Sequence, residues 1–231
     1  MEIINLCDQH SLVSQYMSEL RHKDIQKDRL RFRTNVKRLG QIMAYEMSKT
    51  LAYTPVETPT PLGLATTHTL ATPVVLATIL RAGLPFHEGF LSFFDNAENA
   101  FVSAFRKYRP GSDEFDIHVE YMACPSIEGK TLVIADPMLA TGSSLELAFR
   151  ALLTRGTPSH VHVACVIASD QAIEYVNTHL PADRTTLWVC DTDHQLNSHS
   201  YIVPGLGDAG DLLYGQKIDW DKAKDAAIIS E

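Results

Sequence analysis

No stretch of the chain approaches the roughly 18 consecutive apolar residues that a membrane-spanning helix requires, although 45% of its 231 residues are hydrophobic. Those apolar residues are dispersed in short runs suited to a core, and no membrane partner is expected. The first ten residues lack a basic stretch leading into an apolar one, so they read as part of the fold rather than as a leader, and the expected location is cytoplasmic. Cysteine is scarce: Cys7, Cys124, Cys165 and Cys190 are widely and unevenly spaced, with no CxxC pair. That excludes a disulfide framework or a zinc module, and Cys165 and Cys190, set in apolar runs, read as buried reduced thiols. An excess of basic charge is also missing. The net charge of -8 and pI near 5.6 give no whole-chain attraction to nucleic acid, so any phosphate binding must be local. No Gly-Lys-Ser/Thr occurs where a Walker loop would need it. Internal repeats and low-complexity segments are absent.

What is present alternates. From Asp24 to about Tyr53, Leu30, Val36, Leu39, Ile42, Met43 and Met47 recur at helical spacing among basic residues, which predicts one long amphipathic helix. Residues 54–72, rich in Thr and Pro, read as a loop or extended arm. Apolar strands are then predicted over 73–80, 131–135, 161–168 and 186–190, with helices from Leu84, over 144–155 and over 171–180. A further strand is expected at 100–107 and an extended hairpin arm at 114–122. Uninterrupted apolar strands alternating with helices indicate a parallel sheet covered on both faces. The expectation is therefore a single α/β domain over 1–231, with N-terminal helices in 1–53, a core sheet in 73–190 and a C-terminal hood in 191–216.

Three segments carry candidate chemistry. The strand ending at Ala135 leads into Asp136, Pro137, Met138, Leu139, Ala140, Thr141, Gly142, Ser143 and Ser144, and then into a helix. Hydroxyls and backbone N–H groups at such a helix start suit phosphate, and a carboxylate at a strand's carboxyl end suits ribose hydroxyls. The competing explanation is a helix capped locally by Thr or Ser, and spacing alone leaves the two balanced. Arg81 follows a buried strand within Ile79-Leu80-Arg81-Ala82-Gly83, where a plain surface charge is the alternative to an anion contact. The segment Tyr201-Ile202-Val203-Pro204-Gly205-Leu206-Gly207-Asp208-Ala209-Gly210-Asp211 combines apolar residues with many glycines, which suits recognition of a small flat base by closely approaching backbone. His160 and His162, two apart on a strand, share a face but lack a third ligand nearby in sequence for a metal. The basic residues of the first helix, among them Lys27, Arg29, Arg31, Arg33, Lys37 and Arg38, form a solvated face unless an effector or subunit uses them.

The Asp136 segment resembles the phosphoribosyl pyrophosphate signature of type I phosphoribosyltransferases, in the variant where proline follows the acidic residue, as in the uracil phosphoribosyltransferases. The Arg81 turn is similar to that family's pyrophosphate loop, and the Tyr201–Asp211 segment to its uracil-binding segment. The resemblance implies a parallel-sheet type I phosphoribosyltransferase fold with a hood, and transfer of ribose 5-phosphate to uracil with Mg2+ held mainly by substrate and water. It implies Asp136, Arg81 and Asp208 as catalytic residues, and Arg81, Arg106, Asp208 and the whole Asp136–Ser144 loop as phosphoribosyl pyrophosphate contacts. Arg109 competes with Arg106 for the second pyrophosphate cation. Ile202, Gly207, Asp208 and Ala209 would face uracil. A GTP effector and a homodimer or homotetramer are further implied. Where the family shows a basic residue and then aromatic-Gly-Thr, this chain has Leu212, Leu213, Tyr214, Gly215 and Gln216. That departure keeps open a catalytically silent, nucleotide-sensing regulator, and a purine acceptor is the other rival.

Overall fold

The computed structural model describes residues 1–108 and 115–216, the side chains of 104–120 excepted. In chain order the elements are β1 (Glu2–Asn5), α1 (Leu12–Arg21), α2 (Arg29–Ser48), β2 (Tyr53–Thr60), β3 (Gly63–Leu70), β4 (Val74–Ile79), α3 (Leu84–Leu91), β5 (Glu98–Tyr108), β6 (Phe115–Ala123), β7 (Thr131–Ala135), β8 (Met138–Leu139), α4 (Ser143–Leu152), β9 (His160–Ser169), α5 (Asp170–His179), β10 (Thr185–Asp193), β11 (Gln195–Leu196), β12 (Ile202–Val203) and α6 (Ala209–Tyr214).

The main sheet runs β1-β10-β9-β7-β4-β5-β6, with β8 also paired to β9. Its pairings are parallel except at the β5–β6 edge. Continuous apolar strands alternate their side chains between two cores, as the sequence pattern requires. On β4, Val74 and Leu76 face one core together with Met17, Phe32, Leu39, Phe86 and Phe90 from α1, α2 and α3. Val75, Ala77 and Ile79 face the other with Leu145, Phe149 and Val176 from α4 and α5. The α/β fold is as the strand–helix alternation foretold. From β4 the chain runs outward through β5 and β6, then returns to build β7, β9 and β10 on the other side. The strand order therefore reverses between β4 and β7, and in open α/β sheets ligand crevices form beyond the carboxyl ends of the strands at such a point.

One expectation needs correction and two are sharpened. The helix predicted from Asp24 begins at Arg29, because the Asp28 side chain accepts a hydrogen bond from the Arg31 N–H at 3.0 Å and acts as its N-cap. Residues 54–72 form an antiparallel hairpin, β2–β3, which pairs with no other strand. The 114–122 arm is β6, which runs antiparallel to β5 and forms the edge of the main sheet. Cys165 and Cys190 are buried free thiols. Burial pushes both thiol pKa values well above the ordinary range, as expected of inert core residues. No helix among the described residues is long and apolar enough to cross a membrane.

Candidate active site

A cavity of about 340 Å³ opens at the reversal between β4 and β7. Three stretches far apart in sequence line it: Ile79 to Ala82 after β4, Asp136, Met138, Ala140 and Ser144 after β7, and Ser200, Tyr201, Asp208, Ala209 and Gly210 from the C-terminal segment. Each of the three sequence motifs thus contributes to one space.

The β7 loop is fixed from beneath. The Asp136 N–H donates to the Ala164 carbonyl, the Pro137 carbonyl accepts from the N–H groups of Val166 and Ile167, and the Ser169 hydroxyl donates to the Ala140 carbonyl. Leu139 is buried in the core and Pro137 is buried too, so these two shape the loop while Met138, Ala140 and Ser144 face the cavity. Gly142 has φ +81°, a left-handed conformation, and a Cβ there would lie 2.8 Å from the Tyr175 ring, so glycine is required. It is also the N-cap of α4 and supplies no side-chain cap. Helices α1, α2, α5 and α6 are capped by Ser11, Asp28, Ser169 and Asp208, whereas α3 and α4 have no side-chain cap. The Thr141 and Ser143 hydroxyls bond each other at 2.9 Å. The Thr141 hydroxyl also accepts from the Ser143 N–H, at a long 3.5 Å, while Ser144 stays exposed at the cavity, so the N-terminus of α4 remains open enough to suit an anion.

Asp136 stands at the loop's start. Burial raises its carboxyl from 3.8 to about 7, against the lowering effect of the Met138 backbone N–H. Part of the residue's surface still faces the cavity, but the carboxyl group is surrounded by protein, and desolvation of that group governs the shift. Across the cavity, Arg81 lies just after a cis Leu80–Arg81 peptide, and its Nη2 comes 3.5 Å from Asp211 on α6. Asp208 lines the cavity and caps α6, accepting from the Asp211 N–H at 2.9 Å.

The remaining predicted residues fall in different places. Ile202 puts its side chain into the core, 3% exposed, and neither it nor Gly207 is among the cavity's lining; Ser200 and Tyr201 stand there instead. Tyr201 had a sequence signal, an aromatic opening the glycine-rich segment, but Ser200 had none. Arg106 lies on β5 four residues past Val102, the partner of Ile79 at the end of β4, so its backbone is at the same end of the sheet as the cavity. Its side chain is outside those described, and Arg109 is outside the described residues. The basic face of α2 is largely engaged internally: Arg31 with Glu19, Lys37 with Glu88, and Arg33 with the Leu213 carbonyl. His162 accepts from the Trp188 indole at 3.1 Å and His160 meets the Thr186 hydroxyl at 3.0 Å. Among the described residues no three His, Cys, Asp or Glu side chains gather as a metal site.

The sequence profile of the uracil phosphoribosyltransferases matches residues 7–216. The chain belongs to the uracil phosphoribosyltransferase family. It is 56% identical over 218 residues to the uracil phosphoribosyltransferase of Porphyromonas gingivalis, covering 94% of this chain and 100% of that protein. It is 37% identical over 210 residues to the one from Methanothermobacter thermautotrophicus, covering 90% and 94% respectively. A solved protein of Aquifex aeolicus superimposes with a TM-score of 0.81 at 32% identity, covering 94% of this chain and all of that one. In the segment after Asp211, Leu212 packs against the core and its neighbour Leu213 is buried, so both serve the packing of α6.

Proposed function

We propose that this protein transfers ribose 5-phosphate from phosphoribosyl pyrophosphate to N1 of uracil, giving UMP and pyrophosphate. The observation that carries the proposal is the convergence of the Arg81, Asp136 and Asp208 segments on one cavity at the strand reversal, in a chain of this family. In the transfer, the bond from the ribose anomeric carbon to pyrophosphate breaks, a bond to uracil N1 forms, and the N1 proton is released. The anomeric carbon becomes oxocarbenium-like, so no covalent nucleophile is needed and catalysis rests on positioning and charge stabilisation. Asp136 holds the ribose diol, the Thr141–Ser144 loop holds the 5-phosphate, and Arg81 with Arg106 neutralises the departing pyrophosphate. Asp208 and the backbone of the hood orient the base.

The donor set fits magnesium. Asp136 and Asp208 are the carboxylates of the lining, without a protein cage around them, so a hard ion would take most of its oxygens from substrate and water. Bound in that way, Mg2+ supplies charge neutralisation of the pyrophosphate. The acidic chain lacks a footprint for nucleic acid, which favours an enzyme over an RNA-binding regulator. A cytoplasmic location, GTP as effector and a homodimer or homotetramer belong to the same proposal; the exposed β2–β3 hairpin supports the last.

Formation of UMP from uracil and phosphoribosyl pyrophosphate with Mg2+, with and without GTP, tests the reaction. Hypoxanthine and guanine added as competing acceptors should yield no nucleotide. Calorimetric binding of phosphoribosyl pyrophosphate without turnover would instead favour the silent regulator.

A further inference from the structure

The hood is closed at its neck by a charge cluster that the transfer chemistry does not use. Arg21, the last residue of α1, sends Nη1 to Asp193 Oδ2 at 2.7 Å and to the Gly205 carbonyl at 3.1 Å. Its Nη2 donates to Asp191 Oδ2 at 2.7 Å and Asp193 Oδ1 at 3.1 Å. The Gly205 N–H donates back to Asp193 Oδ2 at 2.9 Å, so Gly205 is gripped on both of its peptide faces. Gly205 has φ +58°, and a Cβ there would lie 2.1 Å from the Ile202 carbonyl oxygen, so nothing bulkier fits the grip. The pair is well covered, with side-chain exposures of 21% for Arg21 and 9% for Asp193, which limits competition from water. Burial works against the Arg21 charge, yet the hydrogen bonds to Asp193 and Asp191 outweigh it and raise its pKa.

The location gives the cluster its meaning. Asp193 ends β10, and Gly205 follows β12, so their contact closes the segment whose tip brings Ser200 and Tyr201 into the cavity. Asp208, Ala209 and Gly210, also on the lining, come directly after this neck. Among the described residues, no hydrogen bond joins the cluster to β7 or α4, the phosphate end of the site.

We propose that Arg21 is a positioning residue for base recognition: its guanidinium fixes the hood over the cavity before uracil arrives. The proposal rests on the uracil-transfer function above. Pre-ordering the hood removes an entropic cost chiefly from base binding, because phosphoribosyl pyrophosphate is held mainly by the Arg81 turn and the Asp136–Ser144 loop, with Asp208 its one contact beyond the neck. The planar fork of arginine reaches three carboxylate oxygens, two of them on one carboxylate, and a carbonyl at once, which the point charge of lysine does not.

Arg21→Lys and Asp193→Asn are compared with Arg31→Lys, whose wild-type side chain makes a similar forked pair with Glu19, neither residue lining the cavity. The first two should raise KM for uracil at least about tenfold, the cost of losing one charge-assisted hydrogen bond that holds a segment. KM for phosphoribosyl pyrophosphate should stay within about twofold, and Arg31→Lys should leave both constants unchanged. Amide exchange over residues 195–207 should accelerate in ligand-free Arg21→Lys. A parallel rise in both KM values, a fall in kcat alone, or unchanged exchange in the hood would overturn the proposal. If the wild type forms no UMP, the uracil-transfer function fails, and the exchange measurement alone decides the role of Arg21.

Discussion

Asp136 directly follows β7, a strand buried on both faces, and desolvation there holds its carboxyl at about 7 instead of 3.8. The sign of the consequence follows. Between those values the folded protein keeps a proton that the unfolded chain has released, so the group's stabilising contribution is full below about pH 4 and is lost as pH rises through about 7. At about 1.4 kcal/mol per unit, ionising this carboxyl in the ligand-free fold costs about 4 kcal/mol, an upper bound because the residue partly faces the cavity. Asparagine has no such cost. Asp136→Asn should therefore be more stable than wild type at pH 8, by on the order of 2–4 kcal/mol, with the gap shrinking toward pH 5. Urea unfolding of the ligand-free proteins at both pH values checks this, and an equal gap at both would refute the assignment. A carboxylate that destabilises the empty protein is what a site built to bind ribose hydroxyls and cationic charge would retain.

At the scale of elements, the start of α4 is the position proposed for phosphate. Its N-cap is a glycine without a side-chain cap, and Ser144 is exposed on the cavity wall. A carboxylate there would occupy the anion position and repel a phosphate. Ser144→Asp should raise the dissociation constant for phosphoribosyl pyrophosphate by roughly a hundredfold or more, with little change in melting temperature, since an acidic residue in a helix's first turn is favourable. Titration calorimetry reads this directly, and unchanged affinity would move the phosphate site elsewhere. The strands that carry this loop were legible because their apolar runs are unbroken: 131–135 was read residue for residue. Less was legible where polar side chains govern. Asp28 starts α2 through one hydrogen bond that periodicity does not register. The β2–β3 segment was legible as a loop or extended arm but not as paired strands, because Pro and Thr mask its alternation. Helix α1 was not recognised as an element, so Arg21 went unremarked: its partners lie about 170 residues away, at Asp191 and Asp193, and separation of that kind leaves no local pattern. The cavity's three motifs were found by resemblance, whereas their meeting at one strand reversal follows only from the sheet order.

At the scale of the molecule, the β2–β3 hairpin leaves Leu62 fully exposed, Leu64 at 72%, and Tyr53, Val56 and Leu70 also exposed. Exposed apolar side chains on a hairpin that pairs with no other described strand are a poor surface for a lone protomer, since a two-stranded hairpin gains stability by packing. If the hairpin is a subunit arm, Leu64→Asp should shift the sedimentation coefficient toward that of a monomer while circular dichroism stays native. An unchanged assembly would assign the arm no role in it. The central claim concerns the cavity between β4 and β7, and kcat/KM for UMP formation by wild type and Asp136→Asn, measured side by side at pH 8 with Mg2+, tests it most directly. We expect wild-type turnover with uracil and a loss of about a hundredfold or more in the variant, equivalent to about 2.7 kcal/mol of transition-state stabilisation. Absence of UMP from the wild type, or equal turnover by the two proteins, would contradict it.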